Sequence, residues 1–239
     1  MDVFIGTSGF GYDAWKGDFY PATIKAPQRL AYYASQLDAV EINNTFYALP
    51  KRDIIDRWAQ QVPPTFRFAI KAPRRITHQL RLGEQTQQPL SYLLETTSVL
   101  GSQRGPMLFQ MPPTWRKDAP RLQAFLSYLA PEIPAAFEFR HPSWFDDEIY
   151  AILEAHSAAL CIAEMDAPSK NTPFVATASF GYLRLRRNDY TRAELLDWAS
   201  KIRVQSSWDS AYVFFKHEQQ PPAPLLAKTF RTCLRENEP

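Results

Sequence analysis

Three short apolar runs each carry two charged or polar residues one position apart. They are Glu41 and Asn43 in Val40-Glu41-Ile42-Asn43, Glu138 and Arg140 in Phe137-Glu138-Phe139-Arg140, and Arg184 and Arg186 around Leu185. In a β-strand this spacing puts both members of a pair on one face. Lys71 closes the run Phe68-Ala69-Ile70-Lys71, Gln110 closes Pro106–Gln110, and Lys216 follows Phe215. Glu41 and Glu138 are candidates for a general acid and base, one raised in pKa by burial and the other kept ionised by an arginine. Carboxylate pairs also serve glycoside hydrolysis. The competing reading is a structural ion-pair network that only fixes register. Lys71 is a Schiff-base candidate if neighbouring cations depress its pKa, or else a partner for Glu138 or for an anion. His141, followed by Pro142 and so biased to extended backbone, is a further acid-base candidate or a brace for its loop.

The cations carry the clearest message. Lys71, Arg140, Arg184, Arg186 and Lys216 outnumber Glu41 and Glu138. An anionic ligand would complete that balance, and planar guanidinium groups suit phosphate or carboxylate oxygens. Arg74, Arg75, Arg81 and Arg187 would extend a basic rim, although such short clusters are commonly solvated surface. Phe10, Tyr12, Trp15, Phe19, Tyr20, Tyr47 and Trp144 are candidates for an aromatic wall on which a sugar or base could stack, with loop packing as the plainer account. The histidines, His78, His141, His156 and His217, form no HExxH pattern, so no metal is expected. A hard cation on Glu41, Glu138 or Glu164 is the alternative. No cofactor is implied.

The elements that must position these residues alternate in type. Candidate strands are Val3–Thr7, Ala39–Asn43, Phe66–Lys71, Pro106–Gln110, Ala136–Arg140, Ala159–Ala163, Gly181–Arg186 and Ala211–Lys216. Between them Leu30, Tyr33, Ala34 and Leu37, and again Leu122, Phe125, Leu126 and Leu129, follow helical spacing. Thr191-Arg192-Ala193-Glu194 has the form of a capping box opening a helix through Leu195, Trp198 and Ile202. Eight strand–helix alternations without a composition break predict one closed (β/α)8 barrel spanning 1–239, of the TIM type. The stretch from Glu164 to Phe180 is rich in Pro, Ser, Thr and Asn, so the sixth helix should be short or missing. Gly6-Thr7-Ser8-Gly9-Phe10-Gly11 leads into an aromatic loop and opens no helix, which argues against a dinucleotide-binding sheet.

Composition agrees. The 45% hydrophobic content supports a large core and excludes disorder, and a net charge of +2 argues against a polybasic nucleic-acid coat. Met1–Gly6 enters a strand-like run with no basic leader, and no stretch nears the ~20 apolar residues of a membrane span. Cys161 and Cys233 lie in no metal or redox spacing, and Cys161 reads as a small buried hydrophobe. A cytoplasmic setting with no membrane partner is expected.

Read in order, the strand-end motifs resemble the YecE-like family, known as domain of unknown function 72. They are Ile5-Gly6-Thr7-Ser8-Gly9; Trp15-Lys16-Gly17 with Phe19-Tyr20-Pro21; Val40-Glu41-Ile42-Asn43-Asn44-Thr45-Phe46-Tyr47; Phe66-Arg67-Phe68-Ala69-Ile70-Lys71-Ala72-Pro73 with Ile76-Thr77-His78; Leu108-Phe109-Gln110-Met111-Pro112-Pro113; and Phe137-Glu138-Phe139-Arg140-His141-Pro142-Ser143-Trp144. The resemblance covers nearly the whole chain and implies a β/α barrel without a settled activity. The chain departs from the family pattern twice. Arg184-Leu185-Arg186-Arg187 stands where Arg-Leu-His-Gly is usual, and Lys216-His217-Glu218 follows Phe215 where Asn-Asn is usual. Three functional expectations follow. The first is a metal-independent enzyme acting on a small anionic ligand such as a phosphorylated sugar or nucleotide, bound by Arg140, Lys71, Asn43, Gln110, Arg184, Arg186, Lys216, Tyr12, Trp15, Tyr47 and Trp144. The others are a nucleic-acid-binding protein using the arginine-rich mouth, and a barrel whose site has degenerated.

Overall fold

A computed structural model describes residues 1–216 and 223–236 of the chain. Eight strands form one closed parallel barrel: β1 Asp2–Ser8, β2 Ala39–Ile42, β3 Arg67–Lys71, β4 Arg104–Gln110, β5 Ala135–Glu138, β6 Ala159–Glu164, β7 Phe180–Leu185 and β8 Ser210–Phe215. Helices α1 Arg29–Gln36, α2 Arg52–Gln60, α3 Gln87–Thr97, α4 Ala119–Tyr128, α5 Asp147–Ala155, α6 Arg192–Arg203 and α7 Ala223–Arg235 surround it. Between β6 and β7 the described chain makes only a 3-10 turn, Pro168–Lys170, as the Pro- and Ser-rich composition there predicts. The expected capping box is present at Thr191 and Glu194. His217 and Glu218 lie outside the described residues.

Alternation along each strand divides the core in two. Outward residues such as Val40, Ile42, Phe68, Ile70, Phe109, Phe137, Leu183 and Val213 are buried against the helices. Inward residues form a second cluster whose composition is lopsided. Ala39, Ala69, Ala136 and Ala159 line β2, β3, β5 and β6, whereas Phe180, Tyr182, Tyr212 and Phe214 come from β7 and β8. Rings from one side fill the volume that alanines leave on the other, so close packing is reached with Leu108 of β4 as the branched aliphatic of the cluster. Phe4 stacks on Tyr212 with ring centroids 4.9 Å apart, and Tyr182 meets Phe214 at 5.3 Å. Cys161 is buried in this inner cluster.

Gly6 is required by a close approach. A Cβ there would lie 1.8 Å from the Ala39 carbonyl oxygen, so any side chain would push β1 away from β2. The Tyr33 hydroxyl of α1 bonds at the same place, accepting from Thr7 N at 2.8 Å and donating to Ala39 O at 3.0 Å. The end of β1, and the loop that follows it, are thereby fixed beside β2.

The predicted strands all occur, with their ends corrected. Asn43, Arg140, Arg186 and Lys216 lie just past the last strand residue because the chain turns into its loops there. Asn43 already has helical dihedrals (φ −94°, ψ −22°). Backbone bonds carry the ladder slightly further, as in Arg186 N to Glu164 O at 3.0 Å and Lys216 N to Leu185 O at 3.2 Å.

Candidate anion-binding site at the barrel mouth

Polarity rises along the barrel interior. On β7 the inward series runs Phe180, Tyr182, Arg184 and then Arg186, and the residues facing Arg184 are Glu41 of β2 and Glu138 of β5. The Arg184 guanidinium is 1% exposed and bridges both carboxylates. Its Nη2 donates to Glu41 Oε1 at 2.8 Å, and its Nη1 donates to Glu138 Oε2. Ser8 Oγ and Asn43 Nδ2 also donate to Glu41 Oε1, at 2.7 and 3.0 Å, and the Tyr182 hydroxyl donates to Oε2 at 2.8 Å. Glu138 accepts from Gln110 Nε2 at 2.7 Å, from Arg140 Nε at 3.2 Å and from Arg186 Nη1 at 3.4 Å. Every oxygen of the two carboxylates is engaged.

That geometry favours the structural ion-pair reading of Glu41 and Glu138 over the acid-base one. Burial alone would raise both pKa values, but Arg184, with the hydroxyl donors on Glu41 and the further arginines on Glu138, outweighs it and holds both below the ordinary carboxylate range. Neither becomes the protonated partner that a general acid requires. A carboxylate whose pKa is held down and whose oxygens both already accept hydrogen bonds is also a poor base. The two residues anchor the cations above them.

Above this layer lies a cleft of about 630 Å³, within the range of small-molecule sites. Its walls include Asn43, Lys71, Gln110, Arg140, Arg184, Arg186 and Lys216 from the strand ends, with Tyr12, Asn44, Phe46, Tyr47, Arg74 and His78 from the loops. No carboxylate is among the described residues that line it. Arg184 Nε and Arg186 Nε are buried with no acceptor among the described residues. Lys71 rests its ammonium over the Phe46 ring, 4.2 Å from the centroid, and none of the ion pairs among the described residues includes it. Burial, reinforced by Arg184 and Arg140, lowers its pKa to about 8. Thr45 Oγ1 bonds Lys71 O at 2.6 Å and Ile42 O at 2.9 Å, tying the ends of β2 and β3 together.

Several expected site residues belong elsewhere. Trp15 and Trp144, 1% and 0% exposed, are core residues under their loops. Trp15 packs among Tyr12, Phe19 and Tyr20, while Trp144 stacks on Phe139 at 4.4 Å and donates its indole N–H to Trp115 O at 2.8 Å. Large rings in long loops gain more by covering the barrel than by facing water. Of the proposed aromatic wall, Tyr12 and the exposed Tyr47 reach the cleft. His141 is extended before Pro142, as expected, but its ring Nδ1 accepts from Ser143 N at 3.1 Å and meets Ser143 Oγ at 2.8 Å. It braces its loop and does not line the cleft. Arg187 turns away to Glu194 at 2.6 Å. Glu164 accepts the Trp198 indole N–H at 2.9 Å, and among the described residues no three His, Cys, Asp or Glu converge as a metal site.

Sequence reasoning gave Arg74 only a place in a basic rim, weighed His78 only as a metal ligand, and passed over Phe46 as a cleft residue. His78 lies in a π-helical turn, Arg75–Gln79, and the next residues, Arg81 and Leu82, take the left-handed conformation at φ 46° and 57°. Such backbone is costly for residues with a side chain and collects at functional loops. Burial, then Lys71 and Arg140, lower the His78 pKa to about 4, so the ring is neutral at physiological pH. Its Nδ1 lies 2.9 Å from Thr77 Oγ1, and it meets Phe46 edge-on at 5.0 Å. The signal available was its place in the segment Ile76-Thr77-His78 directly after β3.

Comparison with known proteins gives a consistent result. The chain is 28% identical over 237 residues to UPF0759 protein YecE of Escherichia coli K12, covering 88% of this chain and 87% of that protein. The structure superposes on that of a DUF72 family protein from Thermotoga maritima with a TM-score of 0.86 at 25% identity, covering 98% and 99% of the two chains. A DUF72 family protein from Enterococcus faecalis gives a TM-score of 0.80 at 20% identity over 99% and 97%, which speaks for the fold alone. No helix among the described residues is long and apolar enough to cross a membrane. Residues 4–239 match the family described as protein of unknown function DUF72, and the chain belongs to that family.

Proposed function

We propose that the barrel mouth binds a small anionic metabolite, a phosphorylated sugar or nucleotide-like molecule, and acts on it without a metal. The observation that carries this reading is the cleft layer itself. Lys71, Arg74, Arg140, Arg184 and Arg186 share a site of about 630 Å³ in which no carboxylate is among the described lining residues. Partly buried cations of one sign repel one another and lose hydration, an arrangement that a bound anion relieves. Arg140 and Arg186 are held by Glu138 on one side only, so their remaining N–H groups are available to phosphate oxygens in the bidentate manner that guanidinium favours. The position at the C-terminal ends of the strands is where barrel enzymes place their chemistry.

The test is a thermal-shift screen of sugar phosphates, nucleotides, sugar acids and short DNA and RNA oligomers at low and moderate salt. A ligand at 100 times its dissociation constant adds about 2.7 kcal/mol of stability. Stabilisation by one small anion that survives moderate salt supports the reading. Stabilisation by oligomers alone, lost steeply with salt, replaces it with nucleic-acid binding.

A further inference from the structure

We propose that Lys71 is a nucleophile that forms an imine with a carbonyl group of the anionic substrate, with His78 carrying protons for it. This rests on the anion-binding reading and narrows the substrate to an aldehyde or ketone that also bears a phosphate or carboxylate.

The geometry sets Lys71 apart from the other cations. Arg184 bridges two carboxylates, and Arg140 and Arg186 each hold Glu138. Lys71 has an aromatic face beneath its ammonium instead. Burial and the charges of Arg184 and Arg140 favour the free amine and outweigh the opposing pull of Glu41 and Glu138, neither of which forms an ion pair with Lys71. At pH 8 about half of Lys71 is then unprotonated, roughly a hundredfold more than for an ordinary lysine. The arginines that add to the effect of burial are also the groups suited to hold the substrate's anionic end, which would set its carbonyl beside Lys71. His78 touches the same Phe46 ring, and the charge of Lys71 acts on it directly.

The step balances as follows. The Nζ lone pair attacks the carbonyl carbon, a C–N bond forms, and the carbonyl π pair moves to oxygen. A proton passes from nitrogen to that oxygen through the neutral His78 ring, giving a carbinolamine. A second proton on the hydroxyl lets it leave as water while the nitrogen lone pair closes the C=N bond. In net terms one ammonium and one carbonyl give one iminium and one water, with no redox partner required.

The experiment uses glycolaldehyde phosphate as probe, sodium borohydride to reduce any imine, and peptide mass mapping to locate it. Inorganic phosphate serves as a non-reactive competitor, and its effect on the melting temperature reads anion binding separately. The expected result is one adduct per chain on Lys71, formed at least tenfold faster than on any other lysine and suppressed by phosphate. Lys71→Arg, which keeps the positive charge but cannot form an imine, should abolish the adduct. His78→Asn should slow adduct formation without weakening the phosphate effect, a separation that a purely structural role would not produce. Label spread evenly over surface lysines, or none at Lys71, while phosphate still raises the melting temperature, would overturn the imine and leave anion binding standing. The same labelling with no phosphate effect would overturn both. Mapping the unmodified protein decides the matter even if a variant fails to fold.

Discussion

Two charged layers lie one above the other inside this barrel, and they are built on opposite rules. In the lower one, Glu41, Arg184 and Glu138 are buried and closed on one another, with Ser8, Tyr182, Gln110 and Asn43 occupying the remaining lone pairs. In the upper one, Lys71, Arg74, Arg140 and Arg186 face a common cleft with no carboxylate among the described lining residues. The lower layer meets the requirement that buried charges be paired and hydrogen-bonded. The upper layer meets it only in part, since Arg140 and Arg186 share the single carboxylate of Glu138 and Lys71 has no ion pair among the described residues. The contrast sets charge that closes on itself apart from the charge proposed to serve a ligand, within one set of strand ends.

The largest effect should come from breaking the lower layer. Arg184→Met leaves two buried carboxylates without their shared cation, a loss of about 3–5 kcal/mol. Chemical denaturation should show a midpoint far below that of the parent, or an unfolded chain. The triple substitution Glu41→Gln, Arg184→Met, Glu138→Gln removes the charges together and should recover most of that loss. If Arg184→Met were as stable as the parent, the closed-network account would fail.

Next comes the upper layer's ligand. Arg140→Ala, with its side chain 34% exposed, should leave the barrel folded yet weaken anion binding by about 1.5–3 kcal/mol, roughly 10- to 100-fold. Calorimetry with the best anion from the screen measures the binding, and circular dichroism the fold. An unfolded Arg140→Ala protein would instead assign Arg140 to the structural layer.

The membership of the two layers was only half legible in the sequence. Period-two alternation is local, so it placed Glu41, Asn43, Lys71, Gln110, Glu138, Arg140, Arg184 and Arg186 inward from short runs of residues. Depth is not local. Whether an inward residue is sealed or open depends on register between strands, such as Ser8 beside Glu41, Gln110 beside Glu138 and Ala163 beside Arg184. That is why Glu41 and Glu138 read as catalytic candidates although the strand registers close them off. The loops were least legible. Trp15 and Trp144 fold inward, and His78 reaches the cleft through a π-helical turn that no simple periodicity signals.

A smaller effect, of opposite sign, should follow from discharging the upper layer. Lys71→Met removes an ammonium that burial and Arg184 disfavour, so it should stabilise the empty protein at pH 7 by roughly 1–2 kcal/mol. The sign follows from linkage. The folded-state pKa of about 8 lies below the ordinary 10.5, so the penalty is full below pH 8. It then declines between pH 8 and 10.5 and vanishes above that. Melting temperatures of the two proteins should therefore converge as pH rises through this window. A destabilised Lys71→Met protein at pH 7 would mean that the lysine stem's packing outweighs its charge.

The smallest effect belongs to His78, and it sharpens the comparison because a single ring reports the field of the whole upper layer. Its folded-state pKa of about 4 lies below the ordinary 6.5, so between these values the unfolded chain binds the extra proton. Stability is then lost as pH falls from 6.5 to 4, and His78→Asn should lose less over that interval; the difference between the two proteins cancels the carboxylates they share. Phosphate in the cleft would offset the cations that depress the ring. The His78 titration, followed by NMR, should accordingly move upward when phosphate is added to the parent protein and respond less in Arg140→Ala, which starts higher because one of those cations is gone. A midpoint near 6.5 in the empty protein would show that the cations do not act together on the cleft, and the two layers would then differ in burial but not in kind.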